Sequence, residues 1–440
     1  MSTKNQFGLL RTRRFLPLFI TQFLGACNDN VFRFALVIFV TFDLAEKTSL
    51  PASYLVPLSG VIFIAPFILF SYLAGQLADR YDKAALVRVV KTTEIFVMAA
   101  AAVGLWWQNV VFLFCVLFLT GAQSTFFGPL KYALLAEQLD EIELTGGNGL
   151  IQMGTTVAIL LGASAGGALA SITAVSYWAV ATAVIAIAIA GRISAGFILP
   201  SLSLAPNLEV NGNVLSATWQ LVRDSWSYRE LFLLMMMISW FWFLGATVLS
   251  VVPSFAKEQL GADEQVVTLL NAALTIGIAG GALTCERLSR RKVELGLVPV
   301  AALGISMAAT DIYFQGSDLA AESVLDLSAL FTNPTGIRVF AALILIGACG
   351  AVYIVPLYAA IQARVEASFR ARLISALNIA NAIFMVASGV TTIALLAAGL
   401  SVAEIFLFLG ASNAVVLAGS LYFVPEFSER WRALLAPDKR

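Results

Sequence analysis

The chain carries twelve apolar stretches, each close to the 20 or so residues that a helix needs to cross a bilayer. Their soft boundaries fall at roughly 15–42, 54–78, 85–107, 109–136, 147–170, 173–199, 230–256, 265–287, 293–314, 337–362, 371–399 and 402–424. Six precede a polar linker and six follow it. Hydrophobic residues make up 60% of the 440 and charged residues 12%. With a mean hydropathy of +0.88, that composition does not suit a water-soluble domain. The runs are too long, and alternate too little, for a β-barrel. The expected fold is an all-α membrane protein of twelve transmembrane helices.

The two sets of six are related. Phe23-Leu24-Gly25-Ala26 returns as Phe243-Leu244-Gly245-Ala246, Ala78-Asp79-Arg80 is echoed by Cys285-Glu286-Arg287, and Pro129-Leu130 by Pro356-Leu357. Three echoes in one order, at nearly one spacing, predict two pseudo-symmetric six-helix bundles. We place these at 1–199 and 230–424, joined by a cytoplasmic linker at 200–229 and followed by a cytoplasmic tail at 425–440. A cavity at the interface of membrane repeats is where a transported substrate binds. The run Gly162-Ala163-Ser164-Ala165-Gly166-Gly167 offers the small residues that let helix backbones approach closely in lipid.

The charges set an orientation. With the N-terminus in the cytoplasm, 22 of the 27 Lys and Arg fall on the cytoplasmic side. Lys47, Lys257 and Arg338 fall outside, and Arg33 and Lys131 lie within helices. The positive-inside rule then puts both termini in the cytoplasm. No small-residue cleavage site follows the first helix, so no removable signal peptide is read. Cys27, Cys115, Cys285 and Cys349 fall inside predicted helices at no metal-ligand spacing, and four free thiols are expected. There is no His, which removes imidazole relays and the commonest metal ligand. There is no Walker A sequence either. No cofactor, metal or nucleic-acid partner is expected, nor any catalytic constellation.

Between the halves, Leu215, Trp219, Val222 and Trp226 recur at 4, 3 and 4, which reads as an amphipathic helix in the cytoplasmic interface; a solvated linker is the alternative. The external segment 315–336 is expected to be a loop with a short helix. The tail, with Phe427 and Trp431 beside Arg430 and Arg432, is expected to rest on the inner surface.

Candidate functional residues stand out as polar groups inside apolar helices, where a charge is expensive and should face the bundle interior or water. In the first helix Gln22, Ala26, Asp29 and Arg33 form one stripe, flanked by Asn28 and Asn30. The alternative is an internal Asp29–Arg33 pair at i,i+4. Lys131 follows Gly128-Pro129-Leu130 in the fourth helix, where the proline breaks the hydrogen-bond ladder. It can snorkel to the inner interface, with Glu137 as a partner in one state. Glu94 follows Lys91 by three residues in the third helix, and Asn148 and Gln152 open the fifth; these are candidates for the substrate site or for helix–helix glue. In the second half the seventh helix carries Trp240, Phe241, Trp242 and Phe243 with no charge, and the tenth offers Tyr353, Tyr358 and Gln362. Gln22, Asn28, Asp29, Asn30, Arg33, Lys131, Gln152, Trp240, Phe243 and Tyr353 make the candidate substrate site. A charged first half and an aromatic second half match an amphiphile, with its zwitterionic head on the first and its acyl chain on the second.

Gly75-Gln76-Leu77-Ala78-Asp79-Arg80-Tyr81-Asp82-Lys83 resembles the G-x-x-x-D-R-x-x-[KR] loop signature of the major facilitator superfamily. The resemblance implies that Asp79 and Arg80 latch the bundle ends and control alternating access, with Glu286 and Arg287 as second-half counterparts. Within that superfamily, three segments are similar to bacterial lysophospholipid transporters. They are Gln22 to Asn30, Phe127-Gly128-Pro129-Leu130-Lys131-Tyr132 with Leu135 and Glu137 after it, and Asn148-Gly149-Leu150 with the glycine-rich run that follows. This implies a flippase that moves lysophosphatidylethanolamine, with lysophosphatidylglycerol as a further substrate, across the bacterial inner membrane, with Asp29 and Lys131 as functional charges. It also implies a cytoplasmic partner acyltransferase, and we expect a monomer. The chain departs from the family in the seventh helix, which holds no charge between Glu230 and Lys257. The competing expectation is a proton-coupled exporter of a small hydrophobic or zwitterionic compound, with Asp29 or Glu94 carrying the proton.

Overall fold

The computed structural model describes residues 6–42, 44, 52–171, 176–201, 203, 205–210, 229–290, 292–317 and 326–435. Among them the chain is helical nearly throughout. A 3-10 turn at Gln6–Arg11 leads into α1 (Leu16–Phe42), α2 (Ala52–Arg80), α3 (Lys83–Trp107), α4 (Val110–Gln138), α5 (Glu141–Ala170) and α6 (Ser176–Ala195). The second set is α7 (Arg229–Leu260), α8 (Glu264–Leu288), α9 (Leu297–Ser317), the short α10 (Leu327–Thr332), α11 (Pro334–Arg364), α12 (Arg370–Ala397), α13 (Val402–Phe423) and α14 (Pro425–Leu435). Eleven of these helices are long and apolar enough to span a membrane. The twelfth expected span, α3, is 25 residues long but has Lys83, Arg88, Lys91 and Glu94 in its first half. The chain is a multi-pass membrane protein. The amphipathic linker helix expected around Trp219 and Trp226 lies outside the described residues.

By internal contacts the chain divides into two compact units. The first holds Met1–Asp140, Gly154–Ser227 and Arg364–Ala382; the second holds Glu141–Met153, Tyr228–Ala363 and Ile383–Arg440. Each sequence half therefore contributes a helix segment to the other half's unit: the start of α5 to the second, and the end of α11 with the start of α12 to the first.

In the first unit α1 packs on α6, α2 on α4, and α3 on both α4 and α6. Val31, Phe32, Phe39, Met98, Leu113 and Val184 form the centre of its core. In lipid this packing is held by close contact and hydrogen bonds rather than by release of apolar surface from water. Small residues serve that purpose where expected: Gly162 and Gly166 of α5 lie directly on the backbone carbonyls of Cys27 and Val31 in α1. In the second unit α9 packs on α13 and α7 on α8 and α13, around Val251, Phe255, Leu270, Ile312 and Phe406.

Polar residues stop and start the helices. Asn109 accepts from Phe112 N (2.9 Å) to cap α4, just after Gln108 turns the chain in the left-handed conformation (φ 52°). Asp263 accepts from Val266 N (2.8 Å) to start α8, and Ser401 with Glu404 forms a capping box on α13. The apolar count placed the start of the fifth helix at 147, whereas α5 begins at Glu141. Its first turn carries Glu141 and Glu143, which suit a helix N-terminus but are invisible to a hydropathy reading. The expected short external helix is α10, capped by Asp326. Two backbone N–H bonds and the Ser328 hydroxyl hold the Asp326 carboxyl below the usual carboxylate range. The tail forms α14, seated by the fully buried Phe427 and by Arg430, which donates to Val293 O at 2.9 Å.

Candidate functional site: a buried polar cluster and the Asp79 contacts

The polar stripe of α1 enters a cluster with α3 and α4 in the first unit. Asp29 is 8% exposed, and one of its oxygens accepts from the hydroxyl of Ser124 on α4. Asn28, fully buried, donates through Nδ2 to Glu94 Oε1 at 2.9 Å. The other Glu94 oxygen is 2.6 Å from Lys91 Nζ, and both side chains of that pair are 1% exposed. The Lys91 ammonium also lies 4.9 Å from the centre of the Phe127 ring. It rests directly over Gly25, where a side chain would collide with it. Gln123, next to Ser124, is 5% exposed.

Among the described residues, three acceptor oxygens of this cluster have no donor: Asn28 Oδ1, Asp29 Oδ1 and Gln123 Oε1. A buried acceptor left without a partner costs roughly 1–3 kcal/mol, so three on neighbouring residues mark a place that wants hydrogen-bond donors from elsewhere.

The other candidates on α1 do different things. Gln22 donates to Thr155 of α5 at 2.9 Å, tying two helices together. Asn30 donates to Ala26 O in its own helix at 2.7 Å. Arg33 does not pair with Asp29; its guanidinium lies 5.6 Å from the centre of the Phe63 ring. Lys131 is half-buried with its ammonium 4.5 Å from the Tyr132 ring centre, and forms no ion pair among the described residues. Glu137, expected as its partner, binds Lys83 instead at 2.8 Å and accepts from Ser201. Helix α4 continues through Pro129 to Gln138, so the proline does not end it.

Asp79 forms the second constellation of the first unit. It is fully buried and lies at the N-terminus of α12. It accepts from Ala371 N (3.2 Å), Arg372 N (3.4 Å) and Arg372 Nε (2.9 Å). The signature glycine explains the approach: a side chain at Gly75 would meet Ser375 and lie 2.9 Å from Arg372 Cα. Arg80 lies 5.3 Å from the Tyr81 ring centre, and its carbonyl accepts from Ser203 Oγ at 2.5 Å. Glu286, the expected second-half counterpart, is buried in the second unit.

The second unit holds the aromatic candidates. Trp240 Nε1 donates to Asn413 Oδ1 of α13 at 3.0 Å, and its ring stacks on Phe243 at 4.8 Å. Asn413 in turn donates to Ala302 O (2.8 Å) and Ser306 Oγ (3.0 Å) of α9. The Tyr353 hydroxyl donates to Met237 O at 3.3 Å. An apolar cavity of about 260 Å³ lies between α7, α12 and α13, lined among others by Met236, Trp240, Phe384, Val416 and Phe423. Gln152, at the start of α5, is half-buried in this unit, while Asn148 and Gln362 exchange two amide bonds at 2.8 and 3.0 Å.

Sequence reasoning missed Gln123 and Ser124, although a polar Gln123-Ser124-Thr125 run inside α4 was there to be read. It also missed Ala371 and Arg372, because a residue 293 positions away from Asp79 gives no local signal.

Long apolar helices in two units, with charged side chains buried within the units, are the architecture of a membrane transporter. A sequence model of the Major Facilitator Superfamily matches residues 18–321, and the chain belongs to that superfamily. It is 28% identical to the lysophospholipid transporter LplT of Cronobacter sakazakii over 368 residues, 81% of this chain and 82% of that one. It is 27% identical to LplT of Escherichia fergusonii, covering 78% and 79%. The proton:xylose symporter XylE superposes with a TM-score of 0.70 at 15% identity, covering 97% of this chain and all of that one. The human organic anion transporter MFSD10 gives 0.69 at 14%, covering 91% and 99%. These structures share the fold. The chain is a transporter and not an enzyme.

Proposed function

We propose that this chain is a flippase that moves lysophospholipid, lysophosphatidylethanolamine foremost, across a bacterial inner membrane by alternating access. One observation carries the reading: among the described residues Asp29 keeps a buried oxygen without a donor, beside the equally unsatisfied oxygens of Asn28 and Gln123. A primary ammonium has three N–H donors and a positive charge, so an ethanolamine head group supplies what these acceptors lack. The second unit has an apolar cavity whose lining is chemically suited to an acyl chain. The names of the relatives point to the same substrate class. Asp79 and Arg372 serve as a latch of the access cycle. The charge distribution supports two cytoplasmic termini. Lysolipid delivered inward is a substrate for re-acylation by a cytoplasmic acyltransferase, and the transporter works as a monomer.

The test is flipping of labelled lysophosphatidylethanolamine in proteoliposomes. Asp29→Asn should express and fold, yet abolish movement; near-normal flipping by that variant would sink the assignment. The buried carboxylates Asp29 and Glu94 also favour a second reading, a proton-coupled exporter. Competition over an acyl chain-length series at two pH values separates the two. The flippase weakens steadily with shorter chains and ignores the deacylated head group, whereas the exporter responds to external pH and little to chain length.

A further inference from the structure

Lys91 is itself a primary ammonium, buried in the same cluster as the unsatisfied acceptors. Its neighbours keep it in one place. Glu94 holds it at 2.6 Å, the Phe127 ring covers it at 4.9 Å, and the bare backbone of Gly25 leaves it room. Glu94 does a second thing with its other oxygen: it accepts from Asn28 Nδ2 at 2.9 Å. A carboxylate can only accept. The Asn28 amide is therefore fixed with its NH₂ toward Glu94 and its oxygen unsatisfied.

We propose that Glu94 is a positioning residue for head-group specificity: it holds Lys91 away from Asp29 and orients Asn28 as an acceptor, so that the pocket receives the ammonium of a substrate. The proposal rests on the lysophospholipid reading above. Without Glu94 two things follow from the geometry. The Lys91 ammonium loses its counter-ion, and Asp29 becomes the nearest carboxylate described in the cluster, so the protein's own amine competes with the substrate. The Asn28 amide no longer faces a partner that can only accept, so it can turn, and its NH₂ end repels an ammonium.

The experiment compares wild type, Glu94→Gln and the double variant Lys91→Met/Glu94→Gln. It reads flipping of lysophosphatidylethanolamine and of lysophosphatidylglycerol, which lacks the amine, together with monodispersity on size exclusion. Glu94→Gln should lower ethanolamine-lipid flipping about tenfold, the effect of one charge-assisted hydrogen bond. The double variant has no competing amine. It should regain most of that rate while its preference for the ethanolamine over the glycerol lipid falls about tenfold, because a Gln side chain can offer Asn28 either its oxygen or its NH₂, and the Asn28 amide can then turn to donate to the glycerol hydroxyls. A pair that merely glues helices would give a double variant as impaired as the single one, or one with an unchanged head-group preference. Either outcome in monodisperse protein overturns the proposal. The substrate reading is scored separately: wild type must move the ethanolamine lipid and Asp29→Asn must not. Failure there removes both, whereas success there with an unchanged preference removes this inference alone.

Discussion

Replacing Asp79 with Ala removes three hydrogen bonds at once. Two of them go to backbone N–H groups at the start of α12, where a helix has no internal acceptors to offer. Asp79 thus works as a cap from outside the helix, and loss of a cap costs about 1 kcal/mol. The third goes to Arg372 Nε at 2.9 Å, and a bond to a buried charge is worth roughly 1.5–3 kcal/mol. Arg372 is 22% exposed and also donates to Ser368 O at 2.9 Å, so it is not stranded when Asp79 goes. That places its contribution at the lower end. The desolvation of the fully buried carboxylate, recovered on its removal, offsets part of the total. The net is about 1.5–3 kcal/mol, a shift of roughly tenfold to a hundredfold away from the docked arrangement of the α2 end on α12. Spin labels at the exposed positions Tyr81 and Glu366, in a background without Cys27, Cys115, Cys285 and Cys349, would report it as a second, longer population in nanodiscs. Asp79→Asn keeps one acceptor and the shape, and should fall between. Identical distance distributions in wild type and Asp79→Ala would refute the latch.

Gly75→Val should shift the same equilibrium by a different route, since its side chain must displace Ser375 and the Arg372 backbone, whose Cα lies 2.9 Å away; the same label pair checks it, and an unshifted distribution contradicts the close approach. Asn413→Leu strands the Trp240 indole N–H and removes two donations to α9; at about 0.6–2 kcal/mol per bond in a membrane, the melting temperature should drop by several degrees, and an unchanged one would count against the Asn413 hub. Shortening the acyl chain should weaken competition for lysolipid flipping stepwise; equal competition by the deacylated head group would overturn the amphiphile reading.

The sequence by itself determined the class of fold. Twelve long apolar runs leave few alternatives, because a backbone in lipid must satisfy its own hydrogen bonds. Buried charges in such runs are rare enough that Asp29 and Glu94 announced themselves without a structure. Position in the Gly75–Lys83 signature marked Asp79 for the same reason: a local pattern survives in one dimension. The structure alone decided which polar groups meet. Asp29 bonds Ser124 rather than Arg33, Glu137 bonds Lys83 rather than Lys131, and Asp79 finds the start of α12. None of these follows from helical spacing, because each depends on the rotation and depth of one helix against another. Those are set by packing at residues such as Gly162, Gly166 and Gly75, where the absence of a side chain brings distant segments together. Hydropathy marks nearly all of the long helices, and close contact fixes which side chains share the interior.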